Sequence, residues 1–136
     1  MAITSFRDLV VWQRAMVLVE RIYELTEGFP RHEQYGLTTR LRRAAVSIPS
    51  KIAEGHARRT GYFLNHLNMA SGSEAELQTQ LELAARLHLG DRGPIEKLLA
   101  ESSEVGRMLH ALAASVERDR ATARQRDGST ELIRDP

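Results

Sequence analysis

The chain has 136 residues, of which 42% are hydrophobic and 27% are charged, which suits one globular domain with its own apolar core. It contains no cysteine, so disulfides, thiolate zinc sites and cysteine nucleophiles are excluded. The first residues lack the pattern of a signal peptide, and no apolar run approaches the roughly 20 residues of a membrane span. The composition therefore predicts a cytoplasmic protein that does not contact a membrane.

Positive charge is concentrated in one part of the sequence. The whole chain has a net charge of +1, but residues 31–59 contain seven Arg or Lys residues against two Glu residues. The remainder of the chain is therefore net negative. Clustered Lys and Arg residues favour the binding of phosphate backbones.

The first predicted helix spans residues 6–27 and carries two neighbouring apolar seams, in which apolar residues alternate at spacings of three and four. The first seam contains Val11, Ala15, Leu18, Ile22 and Leu25. The second contains Leu9, Trp12, Met16, Val19 and Tyr23. Because one stripe of about 100° is enough for a helix in a monomeric bundle, the second seam indicates either an unusually buried helix or an interface between subunits.

The second predicted helix spans residues 34–57 and contains Pro49. Proline removes a backbone donor and crowds the preceding turn. The apolar pattern nevertheless continues to Ile52 and Ala53, so we expect a kink at Pro49 and not a break.

The third and fourth predicted helices span residues 60–88 and 93–118. The seam of the third contains one acidic residue, Glu74, and the seam of the fourth contains Ser102. After about Arg118 the periodicity stops, and residues 119–136 mix charged residues with Gly, Ser, Thr and Pro. The sequence therefore predicts an all-α, antiparallel up-down four-helix bundle over residues 1–118 and a disordered tail over residues 119–136.

The sequence contains no recognisable catalytic or cofactor-binding motif. No Glu lies three residues before any of the five histidines, which argues against the di-metal carboxylate sites of helical bundles. No phosphate-binding loop and no Gly-x-Ser-x-Gly elbow occurs. We expect no metal, no cofactor and no enzyme activity, with an enzyme of unrecognised type as a distant alternative.

Glu74 is the most unusual position in the predicted core. A lone carboxylate in a core is costly unless it is paired. The second helix offers Arg42, Arg43 and Lys51 as partners, and Arg43 is the best candidate for a structural ion pair with Glu74. A catalytic role for Glu74 would need a pocket and a second group, and the sequence indicates neither.

The basic segment has two interpretations. Its charged side chains are either solvated or paired within the protein, or they form a surface that binds nucleic acid. The candidate nucleic-acid-binding residues are Arg40, Arg42, Arg43, Lys51, Arg58 and Arg59. A helix of about 20 residues cannot direct all of these side chains the same way. We therefore expect Arg40, Arg58 and Arg59 to be the most exposed.

Four stretches of the sequence resemble a known family. They cover residues 6–15, 29–37, 42–55 and 72–81, and their most specific parts are Ser47-Ile48-Pro49 and Ile52-Ala53-Glu54-Gly55. The chain resembles the four-helix-bundle family of 23S rRNA intervening-sequence proteins, which also includes the accessory protein of diversity-generating retroelements. It departs from the family pattern at Lys51, where Asn is typical, and at Ser71, where a basic residue is common.

The resemblance implies a four-helix bundle that assembles into a ring-like pentamer. For the retroelement branch it also implies RNA or DNA, or a reverse transcriptase or other nucleoprotein, as a partner. The leading hypothesis is a non-catalytic homo-oligomer that binds nucleic acid or a nucleoprotein through the second helix. The competing hypothesis is a protein–protein scaffold that does not bind nucleic acid.

Overall fold

The computed structural model describes the backbone of residues 4–134 and the side chains of residues 4–127. This part of the chain is all-helical and contains no strand, which confirms the predicted fold class. The four helices are α1 (Val10–Glu27), α2 (Leu37–His56), α3 (Thr60–Arg86) and α4 (Arg92–Arg134). Two short 3₁₀ turns, Phe6–Asp8 and Arg31–Glu33, precede α1 and α2.

The predicted seams form a single hydrophobic core. All four helices contribute large side chains that are fully buried, among them Leu18, Ile22, Leu41, Ile48, Ile52, Leu67, Leu77, Leu81, Ile95 and Leu109. Burying a Leu or Ile side chain contributes about 1.5–3 kcal/mol each. The core therefore lies along the axis of the bundle and leaves the polar faces of the helices for other roles.

A glycine on α2 brings α2 and α3 close together. A Cβ placed on Gly55 would lie 2.5 Å from the Cβ of His66 and 3.2 Å from the Cα of Phe63, so only glycine fits without displacement. Farther from this end of α2, the hydroxyl of Ser47 lies 2.8 Å from that of Ser73. Contacts near the end of α2 thus involve the beginning of α3, which shows that these two helices run antiparallel.

The first two helices begin later than the periodicity predicts. Ser5 and Asp8 form a capping box, but it caps the 3₁₀ turn, and the extended backbone of Leu9 separates that turn from α1. In the same way, α2 begins at Leu37, whose backbone N–H donates to Glu33 Oε2 at 3.0 Å. α2 then continues through Pro49 to His56, and the kink at Pro49 stays a prediction.

The third helix ends in a left-handed residue that is not glycine. His88 has φ 56°, and the N–H of Leu89 bonds back to the carbonyl of Ala84 at 3.0 Å, which closes the last turn. Gly90, two residues later, makes room for an aromatic ring, because a Cβ there would lie 3.0 Å from Phe29 Cε1. This turn leads directly into α4.

The fourth helix continues well beyond its predicted end at residue 118. The backbone is helical to Arg134, where the sequence predicts a disordered tail over residues 119–136; residues 135 and 136 lie outside the described part of the chain. Residues 119–127 are rich in Arg, Ala and Gln, which favour helix. The apolar periodicity stops at about Arg118 because the following turns of α4 do not pack against the core. The end of the apolar pattern therefore marks the end of the packed part of α4 and not the end of the helix.

Candidate functional site

Two of the six candidate nucleic-acid-binding residues are engaged inside the protein. The half-buried Arg42 donates from Nε to Thr26 Oγ1 at 2.8 Å, and its guanidinium lies 4.4 Å from the centre of the Tyr23 ring. Lys51 Nζ lies 3.2 Å from Glu54 Oε2 on the same helix. Arg42 therefore ties α2 to α1, and the charge of Lys51 is offset by a neighbour.

The other four candidates, Arg40, Arg43, Arg58 and Arg59, are exposed. Within the described side chains, none of them forms an ion pair. Arg58 alone has a ring partner among them, with its guanidinium 5.2 Å from the centre of the Tyr62 ring. Arg40 and Arg43 lie on α2, and Arg58 and Arg59 lie in the α2–α3 turn that follows it. We call these four residues the arginine stripe.

The predicted ion pair between Glu74 and Arg43 is wrong. Glu74 is buried, with 7% of its surface exposed, but Arg43 is exposed on the opposite side of α2 from the core. The carboxylate of Glu74 instead accepts hydrogen bonds from Ser102 Oγ at 2.7 Å and from the side-chain amide of Gln78. Hydrogen bonds from two neutral donors therefore take the place of the predicted ion pair.

A second glycine makes room for the Glu74 carboxylate. A Cβ placed on Gly106 of α4 would lie 2.5 Å from Glu74 Oε1 and 3.0 Å from its Cδ. The amide of Gln78 also donates to Ser103 Oγ at 3.1 Å, so the polar cluster joins α3 to α4 through more than one bond. Glu74 and Ser102 are the polar members of the apolar seams of α3 and α4, which face each other. A polar residue in each seam was therefore the signal in the sequence that could have identified Ser102 as the partner of Glu74.

Ion pairs close the bundle between α1 and α4. Arg14 Nη1 lies 3.1 Å from Glu104 Oε1, and Arg21 pairs with Glu101. These ion pairs engage both arginines of α1. In α2 and the α2–α3 turn, by contrast, Arg40, Arg43, Arg58 and Arg59 form no ion pair within the described side chains.

The second seam of α1 is only partly covered. Leu9 is buried, Trp12 and Val19 are half-buried, and Met16 and Tyr23 are 39% and 41% exposed. Val46, on the neighbouring face of α2, is 40% exposed. The structure thus leaves an apolar strip on the outside of α1, which we call the α1 flank.

The chemistry available in clefts is limited. A groove of about 1000 Å³ lies beside the α3–α4 turn, and its lining includes Arg21, Lys97, Glu24, Asp91 and one histidine but no serine or threonine. Such a lining offers no hydroxyl nucleophile beside a base. Among the described residues, no group of three or more His, Asp or Glu side chains is placed to hold a metal ion.

Comparison with known families identifies the fold that carries these features. A family model described as 23S rRNA-intervening sequence protein matches residues 7–111, which include the first three helices and most of the packed part of α4. The chain belongs to the family of 23S rRNA-intervening sequence proteins. Its two close helix contacts, at Gly55 and at Gly106, both fall inside the matched range.

A solved structure has a similar fold. It is a protein with unknown function from the S23 ribosomal protein family of Bacteroides thetaiotaomicron, with a TM-score of 0.72 and 23% sequence identity. The match covers 77% of this chain and 96% of that one. No curated protein is similar enough to count as a match. Within residues 4–134, none of the helices is long and apolar enough to cross a bilayer.

Proposed function

We propose that this family member is a non-catalytic, cytoplasmic helical bundle that assembles into a homo-oligomer and binds the backbone of RNA or DNA through the arginine stripe. One observation carries the proposal. Arg40, Arg43, Arg58 and Arg59 are exposed, and within the described side chains none of them has an acidic partner. Three other basic residues, Arg14 and Arg21 of α1 and Lys51 of α2, are paired with carboxylates.

Unpaired surface arginines are suited to a polyanion. A phosphate backbone releases condensed counterions when Lys or Arg neutralises its charge, and no fixed sequence motif is needed. If all four arginines of the stripe contact phosphates, the log–log salt slope is about −2.8 for a single strand and about −3.6 for a duplex. Binding should therefore tolerate changes of sequence and weaken steeply as salt is raised.

The family name supports a nucleic-acid context without specifying the ligand. The matching model is named for an intervening sequence of 23S rRNA. A reverse transcriptase or other nucleoprotein partner comes from the retroelement branch of the family and stays a prediction for this chain.

Assembly is the second part of the proposal. The α1 flank leaves Met16 and Tyr23 about two-fifths exposed, next to the similarly exposed Val46. Apolar residues that cluster on a surface mark interaction sites, and a ring assembled by head-to-tail contacts would repeat the arginine stripe and raise avidity. The pentameric number comes from the family resemblance alone. Light scattering should give a multiple of the 15.3 kDa chain, and Met16→Glu should lower that mass; a monomer mass across micromolar concentrations would remove this part of the proposal.

The binding experiment is a titration of labelled RNA and DNA at two salt concentrations. The pair Arg58→Glu and Arg59→Glu should weaken binding of both, because it reverses the charge of two stripe residues. The matched control is Arg31→Glu with Arg86→Glu, which makes the same change of charge at exposed positions near the opposite end of α2 and α3. Equal losses in the two double variants would mean that the net charge of the protein, and not the stripe, controls binding.

A protein–protein scaffold is the second candidate, and two observations favour it. Arg42 and Lys51 are already engaged within the bundle, and the α1 flank is apolar. If the assembled protein binds neither RNA nor DNA at low salt, the scaffold becomes the better function.

A further inference from the structure

The end of the bundle at the α2–α3 turn is extended by α4. In the described chain, α4 continues past this turn, and the guanidinium of Arg120 reaches the first turn of α3: a Cβ placed on Gly61 would lie 3.8 Å from Arg120 Nη2. Arg58 and Arg59 lie in the turn itself. Two separate elements therefore bring three arginines to one end of the bundle, and the sequence pattern gave no sign of this because Arg120 lies beyond the last apolar seam.

An exposed aromatic side chain lies beside Arg58 at this end of the bundle. Tyr62 is 51% exposed, and its ring is stacked on that of His66, with 5.9 Å between centroids and 28° between planes. The guanidinium of Arg58 lies 5.2 Å from the centre of the same ring. Nδ1 of His66 lies 2.8 Å from the carbonyl oxygen of Tyr62, which helps to fix the histidine ring beside the tyrosine.

The surroundings of Tyr62 differ from those of the other highly exposed tyrosine. Tyr35 is 90% exposed, and within the described side chains it has neither a ring partner nor a cation beside it. Tyr62 has His66 stacked on its ring and the guanidinium of Arg58 over the ring, while about half of the residue's surface is exposed. An exposed ring beside arginines combines the two elements of a stacking platform for single strands.

We propose that this end of the bundle binds single-stranded nucleic acid, with one unpaired base stacked on Tyr62 and the adjoining phosphates contacted by Arg58, Arg59 and Arg120. This inference rests on the proposed function and specifies its substrate class. A base inside a duplex has both faces covered by its neighbours, whereas an unpaired base can offer a face to an aromatic side chain. The site therefore distinguishes single strands from duplexes, which the arginine stripe by itself does not.

Nearby acidic groups do not cancel this cluster. Asp119 precedes Arg120 on α4, but consecutive residues are about 100° apart around a helix, so the two side chains point in different directions. Glu117, three residues before Arg120, is its acidic neighbour on the helix surface, but the two form no ion pair within the described side chains. Glu54, on the last turns of α2, is paired with Lys51. The three arginines thus keep a positive field at this end of the bundle. A base that stacks on Tyr62 takes the place of the exposed Arg58 guanidinium over the ring, which can then contact a phosphate.

The test measures fluorescence anisotropy of a labelled oligouridylate of about 16 nucleotides, a length in the range of known single-strand sites. The other probes are the oligothymidylate of the same length and the duplex of the labelled strand with oligoadenylate. Tyr62→Ala should weaken binding of both single strands by about 5- to 150-fold, the range of one base–aromatic stack, and should change duplex binding less than twofold. Tyr62→Phe should retain the wild-type affinity, because it keeps the ring.

Two further variants complete the design. Tyr35→Ala removes an exposed tyrosine that has no cationic neighbour and should leave all affinities unchanged. Arg120→Ala should lower the salt slope for single strands by about 0.7, the contribution of one phosphate contact. Thermal melting of each variant verifies that the bundle is folded.

The outcomes separate this inference from the function on which it rests. If Tyr62→Ala and wild type bind single strands equally, or if Tyr62→Ala weakens single strands and duplex alike, the stacking site is refuted while nucleic-acid binding stands. If wild-type protein binds none of the three probes at low salt, the proposed function itself fails. If oligouridylate alone shows the loss, the site is specific for RNA; the same loss with oligothymidylate shows a site for single strands of either kind.

Discussion

Replacing Gly106 with alanine should destabilise the wild-type bundle but stabilise a bundle that lacks the Glu74 carboxylate. In the wild type, the new Cβ would lie 2.5 Å from Glu74 Oε1. The carboxylate cannot move away freely, because Ser102 Oγ, at 2.7 Å, and the Gln78 amide hold it in place. Overpacking of this kind typically costs about 1–3 kcal/mol.

The second contribution has the opposite sign. Within a helix, alanine is more favourable than glycine by about 1 kcal/mol. The net change in the free energy of unfolding for Gly106→Ala is therefore a loss of up to about 2 kcal/mol in the wild type. In a Glu74→Ala background no carboxylate opposes the Cβ, so the same substitution should give a gain of about 1 kcal/mol.

The assay is a double-mutant cycle from urea unfolding at one protein concentration, since an oligomer makes stability depend on concentration. Glu74→Ala should itself destabilise by about 1–3 kcal/mol or more, because the fully buried Ser102 hydroxyl loses its acceptor. Glu82→Ala, on an exposed position of the same helix, is the matched control and should change little. An identical effect of Gly106→Ala in both backgrounds would refute the reasoning, since it would show that the glycine is not there for the carboxylate.

Three further predictions concern the contacts between helices. Gly55→Ala should destabilise by about 1–3 kcal/mol in urea unfolding, because its Cβ would lie 2.5 Å from a side-chain carbon of α3; a neutral result would mean that α2 and α3 can separate without cost. Arg42→Ala should lower the free energy of unfolding by about 1–3 kcal/mol, because the bond to Thr26 is lost, while oligonucleotide affinity stays unchanged; an affinity loss would return Arg42 to the binding surface. Arg14→Ala should cost less than about 1 kcal/mol, because its pair with Glu104 is about half exposed, and the difference should disappear in 1 M salt, which screens such pairs.

The sequence predicted the helices well because the heptad seams are regular. The first seam of α1 places Ala15, Leu18 and Ile22 in the core, and each of them is fully buried. The ends of helices were harder to predict, because they depend on local caps that periodicity does not record. The extension of α4 was missed for the related reason that a solvated helix needs no apolar pattern.

The sequence predicted which residues of the candidate site are polar or charged, but not which residues they contact. The sequence identifies Glu74 as a polar member of an apolar seam, but it does not say which neighbouring helix the carboxylate faces. Arg43 was chosen for its charge, whereas the structure places Ser102 there. Likewise, the basic composition of residues 31–59 cannot show that Arg42 lies over Tyr23 and donates to Thr26.

The two glycine contacts also imply an order in which the bundle opens. α3 touches α2 closely at Gly55 and α4 closely at Gly106, whereas α1 is joined to α4 by partly exposed ion pairs. We therefore expect hydrogen exchange to release the amides of α1 before those of α3, as a separate cooperative unit. A detached α1 would uncover the groove that normally holds Leu18 and Ile22, and the α1 of a second molecule could fill it. Exchange of the first helix between subunits is thus a low-cost route by which this fold could dimerise.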